Sequence, residues 1–364
     1  MPGVTGLLLA ILTGRFLQTR KDIIPWYSLT RLLVIACYTL TGIAALVLPA
    51  QNAVAGTLVI WALATFPQTA LAVAFSVVMN EVAGPEGRYA LMSRRWFIFG
   101  VTGVIVTFLV TSTIDRVAFP QNYAIMFIVL SLGGVLSYYV SRQIKLPPRT
   151  PPALAPAKSA LDSARSYLTL LRENPAFVTA AMKQFVYLSA VTLTQPILPL
   201  FYVRTVNATD AEIGAFSMVM TIVMLGGYIL WPRVSKARGG RFVLLATTLG
   251  LSSYPLLTAL TPRAGLIILY SGIAGLFQAG LDLVFYDELM KTVPSEYSAT
   301  FVALAQSIQY VTIIVAPLMG AWLADSIGLG GALMVGAGLR LFGFILFLLP
   351  DRRKVRAGIR QIVR

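Results

Sequence analysis

Residues 287–297 read DELMKTVPSEY, and residues 80–89 read NEVAGPEGRY, so one short phrase occurs twice in this chain. In each copy a glutamate follows Asp or Asn, and a proline, a second glutamate and a tyrosine come after it. The two prolines, Pro85 and Pro294, lie 209 positions apart. A phrase repeated at this distance predicts that two related halves make up the chain.

The composition indicates a lipid environment. Of the 364 residues, 57% are hydrophobic and 12% charged, and the mean hydropathy is +0.78, whereas a water-soluble domain carries roughly a quarter charged residues. Apolar runs of about 17–25 residues recur, and each is long enough to cross a bilayer as a helix. Because the runs are continuous rather than alternating, the sequence predicts an all-α integral membrane protein. About eleven spans are predicted, at roughly 2–14, 30–48, 54–79, 96–113, 122–141, 176–203, 213–231, 242–260, 264–286, 299–323 and 330–349.

The net charge is +15, and the positions of the basic residues along the chain set the predicted orientation. If the loop after the first span is cytoplasmic, most of the 29 basic residues fall in cytoplasmic loops or in the tail. This is the positive-inside pattern of a multi-pass protein of the cell membrane, and it places the C-terminus in the cytoplasm. The basic residues are therefore not interpreted as a nucleic-acid surface.

Two further pairs of markers support an internal duplication. Asp115 and Asp325 each follow an apolar span and differ by 210 positions, and Arg20 and Arg238 lie in short basic loops and differ by 218. Each pair falls on one side of the membrane in the predicted topology. The two halves are therefore predicted to be parallel repeats, related by an axis along the membrane normal.

The predicted domains follow from a proline-rich break between the halves. Residues 1–141 form an N-terminal bundle of about five spans, and residues 142–175 form a cytoplasmic proline-rich linker with a helix on the membrane surface. Residues 176–350 form a C-terminal six-helix bundle, and residues 351–364 form a basic cytoplasmic tail. A flexible linker without a surface helix is the alternative for the middle segment.

The duplication also predicts that one helix is missing from the first half. The span at about 176–203 opens the second half, and its counterpart would lie before Met1. The first span has only about thirteen residues before Arg15, which is too few to cross a bilayer, whereas its partner at 213–231 is longer. An in-frame apolar helix upstream would mean a misplaced start, and a stop codon there would favour a decayed protein.

Several kinds of chemistry are disfavoured by the residues that the chain lacks. Histidine is absent and Cys37 is the single cysteine, so His-dependent catalysis, the usual zinc sites and disulfides are excluded. There is no Walker loop and no GxGxxG after a strand. We therefore expect no enzyme activity and no cofactor, with coupling to a proton or ion gradient as the open possibility.

Together, the paired halves, the long linker and the basic loop after the second span of each half resemble the major facilitator superfamily. In that family this loop resembles G-x-x-x-D-R-x-G-R-R, and the two copies here are GRFLQTRKD and PRVSKARGGR. The residues that match the motif are Gly14, Arg20 and Lys21 in the first copy, and Arg238, Gly240 and Arg241 in the second. Both copies lack the aspartate, with Thr19 and Ala237 near its place. The resemblance covers essentially the whole chain.

The resemblance implies alternating access, in which two bundles rock about a central cavity and open it to one side at a time. As a hypothesis, the repeated phrase supplies latch residues, because Glu81 and Glu288 lie where they could pair with Arg88, Arg94 or Arg95 when the cytoplasmic side closes. The alternative is a solvated turn repeated by ancestry. The gating candidates are Arg20, Glu81, Arg88, Arg238, Arg241 and Glu288.

Ionisable residues inside the spans are the first candidates for a substrate or ion pathway, because burying them in lipid is costly. Asp282 lies about one turn from the cytoplasmic end of its span, with Gln278 one turn earlier on the same face. Lys183 lies at a similar depth, so an Asp282–Lys183 pair is possible; a structural pair or snorkelling to the interface is the alternative. Arg340, in the last span, is expected to have a structural role because that span is peripheral in the superfamily.

The other pathway candidates are neutral. Thr194 and Gln195 precede Pro196 and Pro199, which should interrupt their helix and free carbonyls near the cavity. The remaining candidates are Gln184, Tyr187, Gln306, Gln309, Tyr310 and Gln68. Such a set favours a neutral, amphipathic or lipophilic small solute over a multiply charged one.

The leading interpretation is a secondary transporter of a small solute that works as a single chain in the lipid bilayer. The second is a non-transporting membrane scaffold, a sensor or a decayed transporter paralogue, which the missing helix favours. A membrane enzyme is disfavoured because no paired carboxylates or metal-ligand cluster stand out.

Overall fold

The computed structural model describes residues 2–114, 117, 121–146 and 160–349. Three features of the sequence lie outside these residues, namely Asp115, the proline-rich stretch 147–159 and the basic tail 351–364. All regular structure in the described part of the chain is helical. The helices are α1 (Pro2–Gln18), α2 (Ile24–Val47), α3 (Ala50–Ile114), α4 (Gln121–Arg142), α5 (Ala160–Glu173), α6 (Pro175–Thr194), α7 (Ile197–Arg204), α8 (Asp210–Arg238), α9 (Gly240–Leu260), α10 (Ala264–Thr292) and α11 (Ser298–Leu348).

Eight helices in the described residues are long and apolar enough to cross a membrane, counting α6 and α7 as one. Two of the eight are interrupted by a glycine with positive φ, Gly84 in α3 and Gly328 in α11. L-residues with a side chain rarely adopt this conformation, so each glycine allows a turn between two successive helical segments. With these two divisions and the shorter α1, each of the eleven predicted apolar stretches lies in its own helical segment.

Both copies of the repeated phrase form a turn between two helices. In the first copy α3 breaks at Gly84, and Pro85 begins the next helical segment. In the second copy α10 ends at Thr292, Pro294 is extended, and a single 3-10 turn leads into α11. Proline suits the first turn of a helix because its missing N–H has no partner to lose there. The phrase therefore has the same local structural role in both halves.

By their internal contacts the residues form two compact units. The first comprises residues 1–91, 98–174 and 290–311, and the second comprises residues 92–97, 175–289 and 312–364. Each unit is thus built mainly from one half of the chain and takes in one short segment of the other half. The domain bounds predicted from the sequence stay predictions.

In the first unit, α2 packs along α4. Ser28 and Ser141 hydrogen-bond at 2.9 Å, and Arg31 donates to the Ser137 hydroxyl at 2.6 Å. Helix α1 and the first segment of α11 also approach each other closely, because a Cβ on Gly14 would lie 2.3 Å from the Cβ of Ala303. Small residues at such a crossing let two membrane helices pack backbone to backbone.

In the second unit, polar side chains tie α6 to its neighbours. Gln184 Nε2 donates to the carbonyl of Phe285 on α10 at 2.8 Å, and Tyr187 Oη donates to the carbonyl of Thr248 on α9 at 2.8 Å. Both side chains are buried, and Tyr187 is also in edge-to-face contact with Phe285. Gln184 and Tyr187, which the sequence suggested for the pathway, thus hold helices together in this structure.

Candidate functional site

A pocket of about 190 Å³ lies inside the second unit. It is lined by side chains of α6 to α11, including apolar ones such as Leu198, Phe216 and Met220. Its polar lining is Thr194, Gln195, Tyr202, Ser217, Tyr254, Ser271, Gln278 and Arg340. Four of these eight were identified from the sequence as pathway residues or as an intramembrane charge, namely Thr194, Gln195, Gln278 and Arg340. A pocket with an apolar wall and a few convergent polar groups is typical of a small-molecule site.

One of the helices that line the pocket is broken beside it. Helix α6 ends at Thr194, and α7 begins at Ile197, with Gln195 and Pro196 forming a turn between them. Proline has no backbone N–H, so the regular hydrogen-bond ladder cannot continue through it. The interruption predicted from the sequence is therefore confirmed. Such breaks occur at membrane depth where they line a cavity.

Asp282 forms a compact hydrogen-bonded group with two neutral side chains. Tyr228 Oη, on α8, donates to Oδ2 at 2.8 Å, and Gln278 Nε2, one turn earlier on α10, donates to Oδ1 at 2.7 Å. Among the described residues no Lys or Arg forms an ion pair with this carboxylate. Burying an ionised carboxylate inside a membrane span costs free energy. Its retention inside the unit therefore favours a functional role.

Tyr228 connects this group to the short segment 92–97. Ser93 Oγ donates to the backbone carbonyl of Tyr228, and the Trp96 ring stacks on the Tyr228 ring at 6.3 Å with an interplanar angle of 11°. Both residues belong to the segment of the first half that packs in the second unit. The hydroxyl of Tyr228 thus contacts the carboxylate while its ring and carbonyl contact this segment.

The structure does not form the predicted pair between Asp282 and Lys183. Lys183 Nζ instead donates to the carbonyl of Leu349, at the end of α11, at 3.3 Å. A cation at the C-terminus of a helix is favoured by the free carbonyls and by the helix dipole. Both oxygens of Asp282 already accept from Tyr228 and Gln278. The ion pair between Asp282 and Lys183 that the sequence made possible is therefore absent, and this corrects the sequence-based expectation.

Arg340 is a buried cation at the wall of the pocket. Its side chain is 3% exposed; Nη1 donates to the carbonyl of Leu251 at 3.0 Å, Nη2 donates to Thr194 Oγ1, and Nε has no hydrogen-bond partner. These two acceptors are neutral, and no described Asp or Glu pairs with Arg340. Gly336 and Gly343, one turn away on either side, approach Thr194 and Tyr187 closely enough that a Cβ would lie 2.2 and 2.9 Å away. These contacts bring α11 against α6, so Arg340 reaches the pocket.

Sequence comparison then identifies the family. The profile described as Major Facilitator Superfamily matches residues 181–363, which is half of the chain. The chain belongs to the major facilitator superfamily. Its members are membrane transporters rather than enzymes. No curated protein matches the sequence.

Solved structures of the major facilitator superfamily share the fold. The human organic anion transporter MFSD10 (TETRAN) has a TM-score of 0.79 at 15% identity, over 95% of this chain and 82% of that one. The E. coli fucose:proton symporter FucP has a TM-score of 0.71 at 16% identity, over 93% and 86%. A bacterial homologue of the iron transporter ferroportin has a TM-score of 0.73 at 14% identity, over 95% and 87%. At these identities the likeness shows the fold and not the substrate.

The basic loops of the superfamily motif make local contacts here. The Arg20 guanidinium lies over the rings of Phe16 and Trp26, at 4.4 and 5.1 Å from their centroids. In the second loop, Arg238 lies over Phe242 at 4.9 Å. Such cation–π contacts stabilise a loop next to the membrane. A gating role for these arginines stays a prediction.

The structure shows the surroundings of two other gating candidates, Arg241 and Arg88, but does not test a gating role for them. Arg241 Nη2 donates to the carbonyl of Leu348 at 3.2 Å, so it caps the last turn of α11. Arg88 is buried, with 9% of its side chain exposed. The latch between Glu81 or Glu288 and nearby arginines stays a prediction.

The remaining candidates lie in the first unit and are not part of the pocket. Gln68 Nε2 donates to the Tyr38 hydroxyl at 3.2 Å. Gln306, Gln309 and Tyr310 lie on the first segment of α11, which packs in the first unit. There the Tyr310 ring fills the space next to Gly6 of α1, where a Cβ would lie 2.6 Å from it.

Three tyrosines of the second unit were missed at the level of sequence. Besides Tyr228, the hydroxyls of Tyr202 and Tyr254 hydrogen-bond each other, and Tyr254 also bonds Ser271 at 3.1 Å. A tyrosine in an apolar run has no charge to mark it, so only its tertiary partner reveals its role. Within the described part of the chain, no cluster of three or more His, Cys, Asp or Glu side chains could hold a metal ion.

Proposed function

We propose that this chain is a secondary active transporter that moves a small solute by alternating access of its two bundles around a central cavity. The observation that carries the proposal is the pocket of the second unit, which combines a volume of about 190 Å³ with polar side chains, one of which, Gln278, bonds the intramembrane carboxylate of Asp282. Membership of the superfamily and the shared fold support it. The solved relatives are described as transporters of different solutes, so the substrate class has to be inferred from the site.

The proposal includes coupling to a proton gradient through Asp282. Gln278 lines the pocket and donates to the carboxylate, so one side chain contacts both the solute space and the proton carrier. A solute that draws the Gln278 amide toward itself removes a hydrogen bond from the ionised carboxylate. Proton uptake by Asp282 would replace the stabilisation that is lost. Solute binding and protonation therefore favour each other.

Proteoliposomes that contain a pH-sensitive dye test this proposal. A panel of uncharged and singly charged solutes is added outside vesicles with the wild-type chain, and proton entry is followed by fluorescence. We expect at least one solute to drive proton entry, and Asp282→Asn to abolish it. Asp210→Asn, at an exposed position at the start of α8, makes the same change of charge and should behave as wild type.

The same vesicles distinguish transport without proton coupling from no transport. If Asp282→Asn still exchanges labelled solute across the membrane, the carboxylate serves coupling and not binding. If the wild-type chain neither exchanges any solute nor moves protons, the non-transporting scaffold or sensor is the better interpretation.

The orientation and assembly are also part of the proposal. The distribution of basic residues supports a C-terminus in the cytoplasm of a cell-membrane protein. A single chain is proposed as the functional unit. In a Cys37→Ser background, a cysteine introduced at Ala357 should react with a membrane-impermeant thiol reagent only after the cells are opened. Labelling in intact cells would reverse the orientation.

A further inference from the structure

We propose that Arg340 makes the pocket of the second unit a binding site for a single carboxylate, so that the transported solute is a small organic monoanion. The inference rests on the proposed function, because it names the class of solute that the same pocket would take. It differs from the preference for a neutral solute that the sequence suggested. Three features of the site support it: the positive charge of Arg340, the unpaired N–H donor on its Nε, and the volume of the pocket.

The first feature is a positive charge without a counter-ion. Arg340 is 3% exposed, and the groups that accept its hydrogen bonds, the Leu251 carbonyl and the Thr194 hydroxyl, are neutral. No described acidic side chain forms an ion pair with it. A buried cation usually pairs with an acidic group or coordinates a ligand. The site therefore lacks one negative charge, and a solute anion would supply it.

The second feature is spare hydrogen-bonding capacity on the guanidinium. The group has five N–H donors, and the bonds to Leu251 and Thr194 satisfy two of them. Nε is buried and has no partner. The planar arrangement of these donors suits bidentate contact with a carboxylate. The hydroxyls of Tyr254 and Ser271 also line the pocket and bond each other, and one of the two can donate to the same anion.

The third feature is the size and character of the space. The pocket volume of about 190 Å³ is several times the roughly 30 Å³ that one water molecule occupies. Val191, Leu198, Phe216 and Met220 form its apolar walls and suit a short hydrocarbon or aromatic body. A single arginine balances one negative charge, so a monocarboxylate fits the site better than a phosphate with two.

Equilibrium binding to the purified full-length chain tests the proposal directly. The probes are acetate, butyrate and benzoate, each compared with its neutral amide and with chloride at equal ionic strength. We expect at least one carboxylate to raise the Tm and to bind at least about tenfold more tightly than its amide. Equal binding of acid and amide for all three probes would overturn the proposal, as would chloride binding as tightly as the carboxylates.

Substitutions locate the site. Arg340→Gln should remove the preference for the carboxylate over the amide, and Arg340→Lys should keep part of it because the charge remains. Arg263→Gln, at an exposed loop position, makes the same change in net charge and should bind like wild type. Unchanged carboxylate preference in Arg340→Gln would refute the assignment.

A second variant keeps the test decisive if Arg340→Gln does not fold. Ser271→Leu leaves the arginine in place and fills the pocket from α10, so it should abolish binding of the largest probe first. Unchanged benzoate binding in Ser271→Leu would refute the site. Because binding is measured without transport, a chain that binds carboxylates but moves no solute would disprove the transporter and leave this inference intact. Solute-driven proton entry without any carboxylate preference would disprove this inference and leave the proposed transporter intact.

Discussion

Gly275→Ala tests whether the close packing of α8 on α10 builds the site. A Cβ at Gly275 would lie 2.2 Å from the backbone carbonyl oxygen of Met220, whereas ordinary van der Waals contact begins at 3.4 Å. The clash is with backbone, so no side-chain rotation can relieve it. The two helices would have to separate locally by about 1.2 Å.

That displacement has two consequences that can be measured. Overpacking of this kind costs about 1–3 kcal/mol, and each kcal/mol lowers the Tm of a unit of this size by about 2–4 °C, so we expect a decrease of about 2–12 °C. If the separation extends along the helices, the hydrogen bond between Tyr228 and Asp282 would lengthen from 2.8 Å to about 4.0 Å, which is beyond hydrogen-bonding distance. Proton-coupled transport should therefore fall together with stability.

Gly226→Ala is the matched control on the facing helix. A Cβ there meets no atom within 4 Å, although the neighbouring Gly227 is packed against Ala279. Both substitutions add one methyl group and gain the same helix propensity, about 1 kcal/mol in soluble hosts. The difference in Tm between the two variants, measured by thermal unfolding in the same detergent, thus isolates the helix–helix contact. If Gly275→Ala is as stable and as active as Gly226→Ala, the packing argument is wrong.

Three other predictions concern the proton carrier, the first unit and the driving force. Tyr228→Phe removes one hydrogen bond to the ionised Asp282 carboxylate, worth about 1.5–3 kcal/mol, so the carboxyl group holds its proton before the solute binds. Solute-driven proton entry in proteoliposomes should therefore fall about tenfold or more, while solute exchange persists. Gln18→Leu should lower the Tm of the detergent-solubilised chain, because it removes the bond that Gln18 accepts from the Thr300 amide and the bond that it donates to the Glu296 carbonyl. An unchanged Tm would show that these bonds contribute nothing to stability. Transport of a carboxylate probe should follow an imposed pH gradient and ignore an imposed membrane potential, and uptake driven by potential alone would contradict one proton moving with one anion.

The helices were predictable because lipid leaves the backbone few choices. Continuous apolar runs must satisfy their own amides and carbonyls, so hydropathy alone located all eleven segments. The break at Pro196 was predictable for a similar reason, since proline removes one bond of the ladder. The turns of the repeated phrase follow from glycine and proline at fixed places. Each of these features depends on local chemistry that the sequence states directly.

The partners of the charged residues were less predictable, because hydropathy gives the depth of a residue but not its direction around the helix. Lys183 and Asp282 have similar predicted depths, yet the first contacts the end of α11 and the second contacts Tyr228 and Gln278. Gln278 was identified correctly as a neighbour because it lies one turn away on the same helix. Tyr228 is 54 positions from Asp282, and its role depends on how α8 packs against α10.

Arg340 shows the same limit on a longer scale. The sequence marks it as a charge in the last span, and the family resemblance places that span at the periphery. Its access to the pocket depends on Gly336 and Gly343, which let α11 approach α6. In a sequence these glycines look like any pair of small residues on one helical face. Their effect is visible only when the neighbouring helix is known.

The second unit keeps two opposite charges, Asp282 and Arg340, without pairing them with each other. A direct ion pair would satisfy both inside the membrane, but here each charge is held by neutral groups instead, Tyr228 and Gln278 for the first and Thr194 for the second. Each therefore stays able to take a partner from outside, a proton for the carboxylate and an anion for the guanidinium. Loading both adds no net charge to the unit. An electroneutral load crosses a membrane without work against the potential, so in the proposed mechanism the separation of the two charges links the solute to the proton.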